Sequence, residues 1–133
     1  MIRVVLESPF AGDIERNIQY ARECVRDSLS RGEAPIASHL LYTQEGILDD
    51  DVPEERTWGI DAGLAWKEVA EKHVFYIDYG MSNGMVYAKQ YATENNIPIE
   101  IRKINPIEIR KTKKKRVSLP NIDKSKVKNP RRM

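Results

Sequence analysis

The chain has 133 residues, of which 41% are apolar, and its net charge is +2. This length favours a single domain with its own core, and no apolar run approaches the ~20 residues that span a bilayer. The N-terminus lacks a signal-peptide layout and the single cysteine, Cys24, excludes an internal disulfide. We therefore expect a cytoplasmic protein in which Cys24 packs within a helix.

The charge is divided unevenly along the chain. Residues 1–109 hold 11 Lys and Arg against 19 Asp and Glu, whereas residues 110–133 hold 11 Lys and Arg against one Asp. We predict an acidic folded domain, 1–109, followed by a basic, flexible tail, 110–133. The tail could keep the protein soluble, contact nucleic acid phosphates, or dock on the acidic body of a neighbouring subunit.

The first predicted elements are a strand, a loop and a helix. Residues 2–6 form a short apolar run, and apolar residues then recur at helical spacing from Ile14. Asp13 is a good N-cap, and Gly32 suits the end of the helix. Backbone N–H groups at such a helix start favour anions, although most α/β turns of this kind bind nothing.

Residues 34–41 are predicted as the second strand, with His39 inside it or just after it. His39 is either a half-buried structural residue or a ligand contact at the carboxyl edge of the sheet. His73 stands at the opposite end of its own strand. Because no second His lies at metal-ligand spacing, we expect neither a metal site nor a cofactor.

An acidic loop, residues 46–55, precedes a helix that is predicted from Pro53 to Lys72. Carboxylates suit a helix N-terminus, so we interpret these acids as helix-start charges and a solvated face rather than as a cation site. Gly59 and Gly63 lie four residues apart and allow close approach of another backbone. Together with two Trp on the same helix, they favour a homo-oligomer.

The central stretch follows at residues 74–85. Residues 74–77 are apolar throughout, as in a strand buried on both faces, and a small-residue loop, 78–84, leads into a helix that ends near residue 96. Residues 97–101 alternate as an edge strand does. The order predicts a parallel sheet with helices on both faces, and ligands bind such sheets outside the carboxyl ends of the strands.

Several ordered motifs within residues 2–104 resemble the nucleoside 2-deoxyribosyltransferase-like superfamily, in particular its small bacterial and phage branch. They are Glu7-Ser8-Pro9-Phe10-Ala11-Gly12-Asp13-Ile14-Glu15-Arg16-Asn17, Pro53-Glu54-Glu55-Arg56, Gly63-Leu64-Ala65-Trp66, Asp78-Tyr79-Gly80 and Gly84-Met85. The resemblance implies a flavodoxin-like open parallel sheet of four to five strands. The basic C-terminal tail lies outside it.

The resemblance also implies a nucleoside or nucleotide across the carboxyl ends of the first three strands. The loop after the first strand would hold ribose or phosphate, and the turn 82–85 would approach the sugar and any 5′-phosphate. The ligand-binding candidates are Ser8, Pro9, Phe10, Gly12, His39, Asp78, Gly80, Ser82, Asn83, Gly84 and Met85.

The chain departs from the family at one position. Active members attack the anomeric carbon with a Glu, because a carboxylate traps the cationic transition state covalently. The resemblance places that Glu at position 88, which is Ala88 here. We therefore expect a binding protein rather than an enzyme. A phage-type protein in the host cytoplasm could use it to sequester an ADP-ribose-like or cyclic nucleotide immune signal.

The alternative is an N-glycosidic hydrolase or deoxyribosyltransferase that works without the usual nucleophile. Its candidate catalytic carboxylates are Asp78, Asp61 and Glu7, none of which stands in the nucleophile's place. A third class, a nucleic-acid-associated protein, would depend on the basic tail.

Overall fold

A computed structural model describes the backbone of residues 1–116 and the side chains of residues 1–111. Residues 117–133, which make up most of the predicted tail, lie outside the described part of the chain. The strands are β1 (Ile2–Glu7), β2 (Glu33–Ile36), β3 (Lys72–Tyr76) and β4 (Ile99–Arg102). The helices are α1 (Ile14–Ser30), α2 (Ser38–Leu41), α3 (Pro53–Val69), α4 (Asn83–Glu94) and α5 (Ile107–Arg116).

The four strands form one parallel sheet in the order β2-β1-β3-β4. In its register Val5 pairs with both Ile36 and His73, and Phe75 pairs with Ile101. The predicted flavodoxin-like α/β fold is therefore confirmed, with four strands in the described residues. The prediction that the last strand lies at an edge is also confirmed, and β2, which contains Pro35, is the opposite edge.

Helix α1 covers one face of the sheet. The Asp13 carboxylate accepts the Arg16 N–H at the helix start, and Gly32 adopts a φ of +79° just beyond the helix end. Burial raises the pKa of the Cys24 thiol, which fits the predicted packing role. The core on this face comprises Val4, Leu6, Tyr20, Cys24, Ala37, Val74 and Tyr76.

Helices α3 and α4 lie on the opposite face. Phe75 packs there against Met85 and Ala88 of α4. Helix α3 contacts β1 but has no buried residue, and Trp58 keeps 61% of its surface exposed. The apolar side chains of α3 therefore remain largely uncovered within the described part of the chain.

The two glycines of α3 have different surroundings. A Cβ at Gly59 would lie 3.3 Å from Leu48 Cδ1, so a residue of the same chain approaches Gly59. A Cβ at Gly63 would meet nothing within 4 Å. The predicted close approach of another backbone at Gly59 and Gly63 therefore stays a prediction.

Several predicted boundaries differ from the structure, three of them at the end of β2, at the end of α3 and at the start of the tail. The predicted strand 34–41 ends at Ile36, because residues 38–41 turn into the short helix α2, in which the Tyr42 N–H bonds the Ser38 carbonyl. Such a short apolar run does not distinguish a strand from a helical turn. Helix α3 ends at Val69, since Lys72 already belongs to β3. Helix α5 runs across the predicted tail boundary at residue 110.

A buried charge network ties the two edges of the sheet together. The Arg102 guanidinium, 3% exposed, donates to both Glu33 carboxylate oxygens at 2.7 and 2.6 Å. It also bonds Glu100 and the Tyr76 hydroxyl, while Lys72 reaches Glu33 at 2.8 Å. These bonds hold the pKa of Glu33 down at about 2, with Arg102 as the main cause.

Candidate functional site

The crevice between β1 and β3 is where the topology favours a ligand. These strands are neighbours, but the helix after β1 packs on one face of the sheet and the helix after β3 packs on the other. Such a switch leaves an opening outside the carboxyl ends of the two strands. The loop after β1, residues 8–13, and the loop after β3, residues 77–82, lie there.

The loop after β1 is held by α1. The Asn17 amide donates to the carbonyls of Phe10 and Ala11 at 2.8 and 3.1 Å. Gly12 adopts a φ of +96°, which a residue with a Cβ rarely adopts. Ser8 is 1% exposed, so its side chain lies beneath the loop. The predicted residues Ser8 to Gly12 thus form one fixed loop at the crevice.

His39 joins this loop from the neighbouring strand connection. It lies on α2, directly after β2, and its ring stacks on Phe10 with centroids 4.9 Å apart. Burial lowers the pKa of His39, and Lys67 adds to this while Asp50 opposes it. The imidazole is therefore neutral at physiological pH, and the two rings form an aromatic pair beside the loop after β1.

Asp78 has a structural role after β3. Its carboxylate accepts the Tyr20 hydroxyl at 2.7 Å and the backbone N–H groups of Ile104 and Asn105 at 3.0 Å each. It also borders an open cavity of about 650 Å³ beside Asp27 and Lys103. These bonds fix the segment after β4 onto the end of β3, so Asp78 has little capacity left for a ligand.

The turn 80–85 places its small residues outward. The Ser82 hydroxyl accepts the Met85 N–H at 3.2 Å and caps α4. Asn83 and Gly84 are exposed, and a Cβ at Gly84 would meet only Ser82 Oγ at 4.0 Å. Met85, in contrast, is 1% exposed and packs inward. Of the predicted residues in this turn, Met85 therefore belongs to the core.

The three candidate carboxylates do not converge. Asp61 is exposed on α3 and Asp78 is committed to backbone N–H groups. Glu7, at the carboxyl end of β1, is 7% exposed and lies 3.3 Å from Lys67 Nζ. Burial raises the pKa of Glu7, although the Lys67 ammonium opposes this shift. Glu7 is thus a buried carboxyl with a raised pKa at the carboxyl end of β1.

Sequence reasoning missed two charged side chains around the crevice. Lys67 comes from α3 to Glu7, and its ammonium lies 5.7 Å from the centre of the Tyr91 ring. Arg16 of α1 lies over Tyr79, with the guanidinium carbon 4.1 Å from the ring centre. Each is one charged residue on an amphipathic helix, so neither spacing nor composition could have singled it out.

Over residues 2–102 the sequence matches the profile of a domain of unknown function (DUF7768). The chain belongs to this family. No curated protein matches it. Among solved structures it is similar to a 2-deoxyribosyltransferase from the psychrotolerant bacterium Bacillus psychrosaccharolyticus, with a TM-score of 0.56 and 18% identity over 80% of this chain and 79% of that chain.

That bacterial protein is described as a biocatalyst for the synthesis of antiviral and antitumoral nucleosides. At this identity the similarity shows a shared fold, and it confirms the predicted distant relationship at that level.

Within the described residues no helix has the length and apolarity to cross a membrane. Nor does this part of the chain contain a group of three or more His, Cys, Asp or Glu arranged to hold a metal ion.

Proposed function

We propose that the protein binds a nucleoside- or nucleotide-derived small molecule at the crevice between β1 and β3 and does not cleave it. The observation that carries this proposal is Ala88. It is 1% exposed and packs against Phe75 and Met85, on the helix where the family resemblance places the nucleophile. A methyl group there cannot trap an anomeric carbon, whereas the loops after β1 and β3 keep groups that suit a ligand.

The crevice offers groups that suit such a ligand. The ring pair of Phe10 and His39 presents aromatic surface for a base. Exposed Asn83 and Gly84, at the start of α4, provide a close approach and backbone N–H groups for a sugar or phosphate. In a phage-type setting, the protein would sequester an ADP-ribose-like or cyclic nucleotide signal by binding alone.

A second candidate function is favoured by Glu7. A buried carboxyl with a raised pKa is what a general acid needs near neutral pH, and Glu7 ends the strand that forms one side of the crevice. In this alternative the protein is an N-glycosidic hydrolase or a deoxyribosyltransferase. Glu7 would protonate the departing base, and Lys67 would hold the carboxyl in place.

Binding and base release, measured on one panel of ligands, separate the two functions. The panel comprises adenosine, AMP, ADP-ribose and cyclic AMP, with binding followed by calorimetry and free base by chromatography. We expect binding of at least one ligand without base release. Multiple-turnover release by the unmodified protein, stopped by Glu7→Gln, would establish the enzyme instead.

Gly84→Trp tests the place of binding. A Cβ at Gly84 has open space, so the fold should survive, while the indole should fill the approach to the turn and lower affinity at least about tenfold. Thr93→Trp, at an exposed position near the other end of α4, is the matched control and should leave affinity unchanged. Equal affinity in both variants would place the ligand elsewhere.

A further inference from the structure

Arg16 links the two loops that form the crevice. It lies in the first turn of α1, directly before Asn17, whose amide holds the loop after β1 through the carbonyls of Phe10 and Ala11. Its guanidinium covers the ring of Tyr79 in the loop after β3. One cation therefore stands between the segments that follow neighbouring strands.

The guanidinium is fixed on two sides. Its Nε and Nη2 groups both donate to Asn17 Oδ1, at 3.2 and 3.0 Å. The Tyr79 ring beneath it is held in turn by an edge-on contact with Tyr20, with centroids 4.8 Å apart. This long side chain is thus already ordered in the folded protein. Ligand binding therefore costs little further side-chain entropy.

Within residues 1–111, Arg16 takes part in no ion pair. The ion pairs formed among residues 1–111 involve other basic side chains, namely Arg31, Lys67, Lys72 and Arg102. A guanidinium carries five N–H donors, and the Asn17 oxygen engages only Nε and one Nη2 donor. Among the described residues the Nη1 end makes no such bond, so its donors can serve a further acceptor.

We propose that Arg16, oriented by Asn17 and Tyr79, is the anion-binding residue of the crevice, and that the ligand is a phosphorylated nucleoside rather than a neutral one. This inference rests on the proposed function and names the substrate class of the same site. The planar fork of a guanidinium matches two phosphate oxygens. Three carboxylates, those of Asp78, Glu23 and Glu108, also lie near Tyr79, and the first two accept backbone N–H groups.

The test compares a nucleoside, the same nucleoside with a phosphate, and a phosphate-type anion alone. Affinities for adenosine, AMP and inorganic pyrophosphate are measured by calorimetry on the full chain and on Arg16→Gln. In parallel, the Nε–Hε resonance of Arg16 is followed by ¹⁵N NMR in the unmodified protein. The matched control is Arg26→Gln, since Arg26 is an exposed arginine on the same helix. Arg16→Lys keeps the charge but loses the fork.

We expect Arg16→Gln to weaken AMP binding about 10- to 100-fold, as the loss of charge-assisted hydrogen bonds predicts, and to leave adenosine unchanged. Arg26→Gln should change neither affinity, and Arg16→Lys should fall in between. Equal weakening of AMP and adenosine, or no effect of Arg16→Gln, would show that Arg16 serves the fold only.

The NMR titration separates failure of this inference from failure of the proposed function. If no nucleoside or nucleotide binds but pyrophosphate shifts the Arg16 resonance, the proposed function is wrong and the anion site stands. If adenosine binds and neither AMP nor pyrophosphate moves that resonance, the proposed function stands and the phosphate inference is overturned. This arm needs no variant, so it holds even if Arg16→Gln fails to fold.

Discussion

The two faces of the sheet differ in how completely their buried polar groups are hydrogen-bonded. On the face covered by α1, Arg102, Glu33 and Asp78 each have several hydrogen-bond partners. On the face covered by α3 and α4, His73 is fully buried and neither ring nitrogen makes a hydrogen bond of normal geometry among the described residues. A buried polar group without such a bond lowers the stability of the fold, so His73 makes the α3 and α4 face the less stable one.

The same contrast holds for apolar surface. Helix α1 buries Tyr20, Ala21 and Cys24 and leaves only Ile14 and Leu29 of its large apolar side chains exposed. Helix α3 has no buried residue and leaves Trp58, Ile60, Trp66 and Val69 exposed. The α1 face is therefore the better packed of the two and contributes more to the stability of the fold. The α3 and α4 face carries one buried histidine without a normal hydrogen bond and an uncovered apolar surface, and uncovered apolar surface is typical of an interaction site.

The largest expected effect is on the α1 face. Arg102→Met should lower the free energy of unfolding by about 3–5 kcal/mol, because it leaves the Glu33 carboxylate buried without its main partner. Denaturant unfolding followed by circular dichroism measures this. The control is Arg31→Met, which removes a half-exposed arginine paired with Asp27 and should cost less than about 1 kcal/mol. Similar costs for both variants would contradict a structural role for the network.

The second prediction concerns the pH dependence of stability that His73 causes on the α3 and α4 face. Burial lowers the pKa of His73 to about 4, with Lys67 adding to the shift. As pH falls from 6.5 to 4, the unfolded chain takes up the proton before the folded one. The free energy of unfolding should therefore decline in this window, by on the order of 3 kcal/mol. Unfolding curves measured at several pH values test this decline.

His73→Leu should remove that decline. Two carboxylates with shifted pKa values, Glu33 and Glu7, cannot account for it. Glu33 has a lowered pKa of about 2, so its stabilisation is lost only as pH falls below 4.5. Glu7 has a raised pKa, which gives the opposite slope and is common to both proteins. If His73→Leu shows the same decline between pH 6.5 and 4 as the unmodified chain, another group is responsible.

The smallest expected effect is on assembly through α3. The unmodified protein should be at least a dimer, with a contact of about 1,000 Å² or more over the exposed apolar residues of α3. Trp58→Ser should then weaken association by about 2 kcal/mol, as for a central aromatic residue. Light scattering at micromolar concentration measures this. Tyr87→Ser, on α4 and similarly exposed at 58%, should leave the mass unchanged. A 15.3 kDa species alone in the unmodified protein would refute the prediction.

Much of the fold could be predicted because its signals are local. Asp13 caps α1, Gly32 ends it, and residues 74–76 are buried as their continuous apolar run predicts. Prediction failed where a short apolar segment fits two structures, as in the change from β2 to α2 after Ile36. It also failed at the end of α3, where the boundary depends on which residue first pairs with β1.

The features of the candidate site likewise fall into those that local sequence predicts and those that depend on tertiary contacts. The sequence by itself determined that small residues and helix starts follow β1 and β3, since turn signals and periodicity depend only on residues close together in the chain. Only the tertiary structure decided that Met85 faces the core, that Asp78 fixes the segment after β4, and that Arg16 lies on Tyr79. The physical reason is that these contacts join residues far apart in the chain, so they exist only once the helices have packed on the sheet.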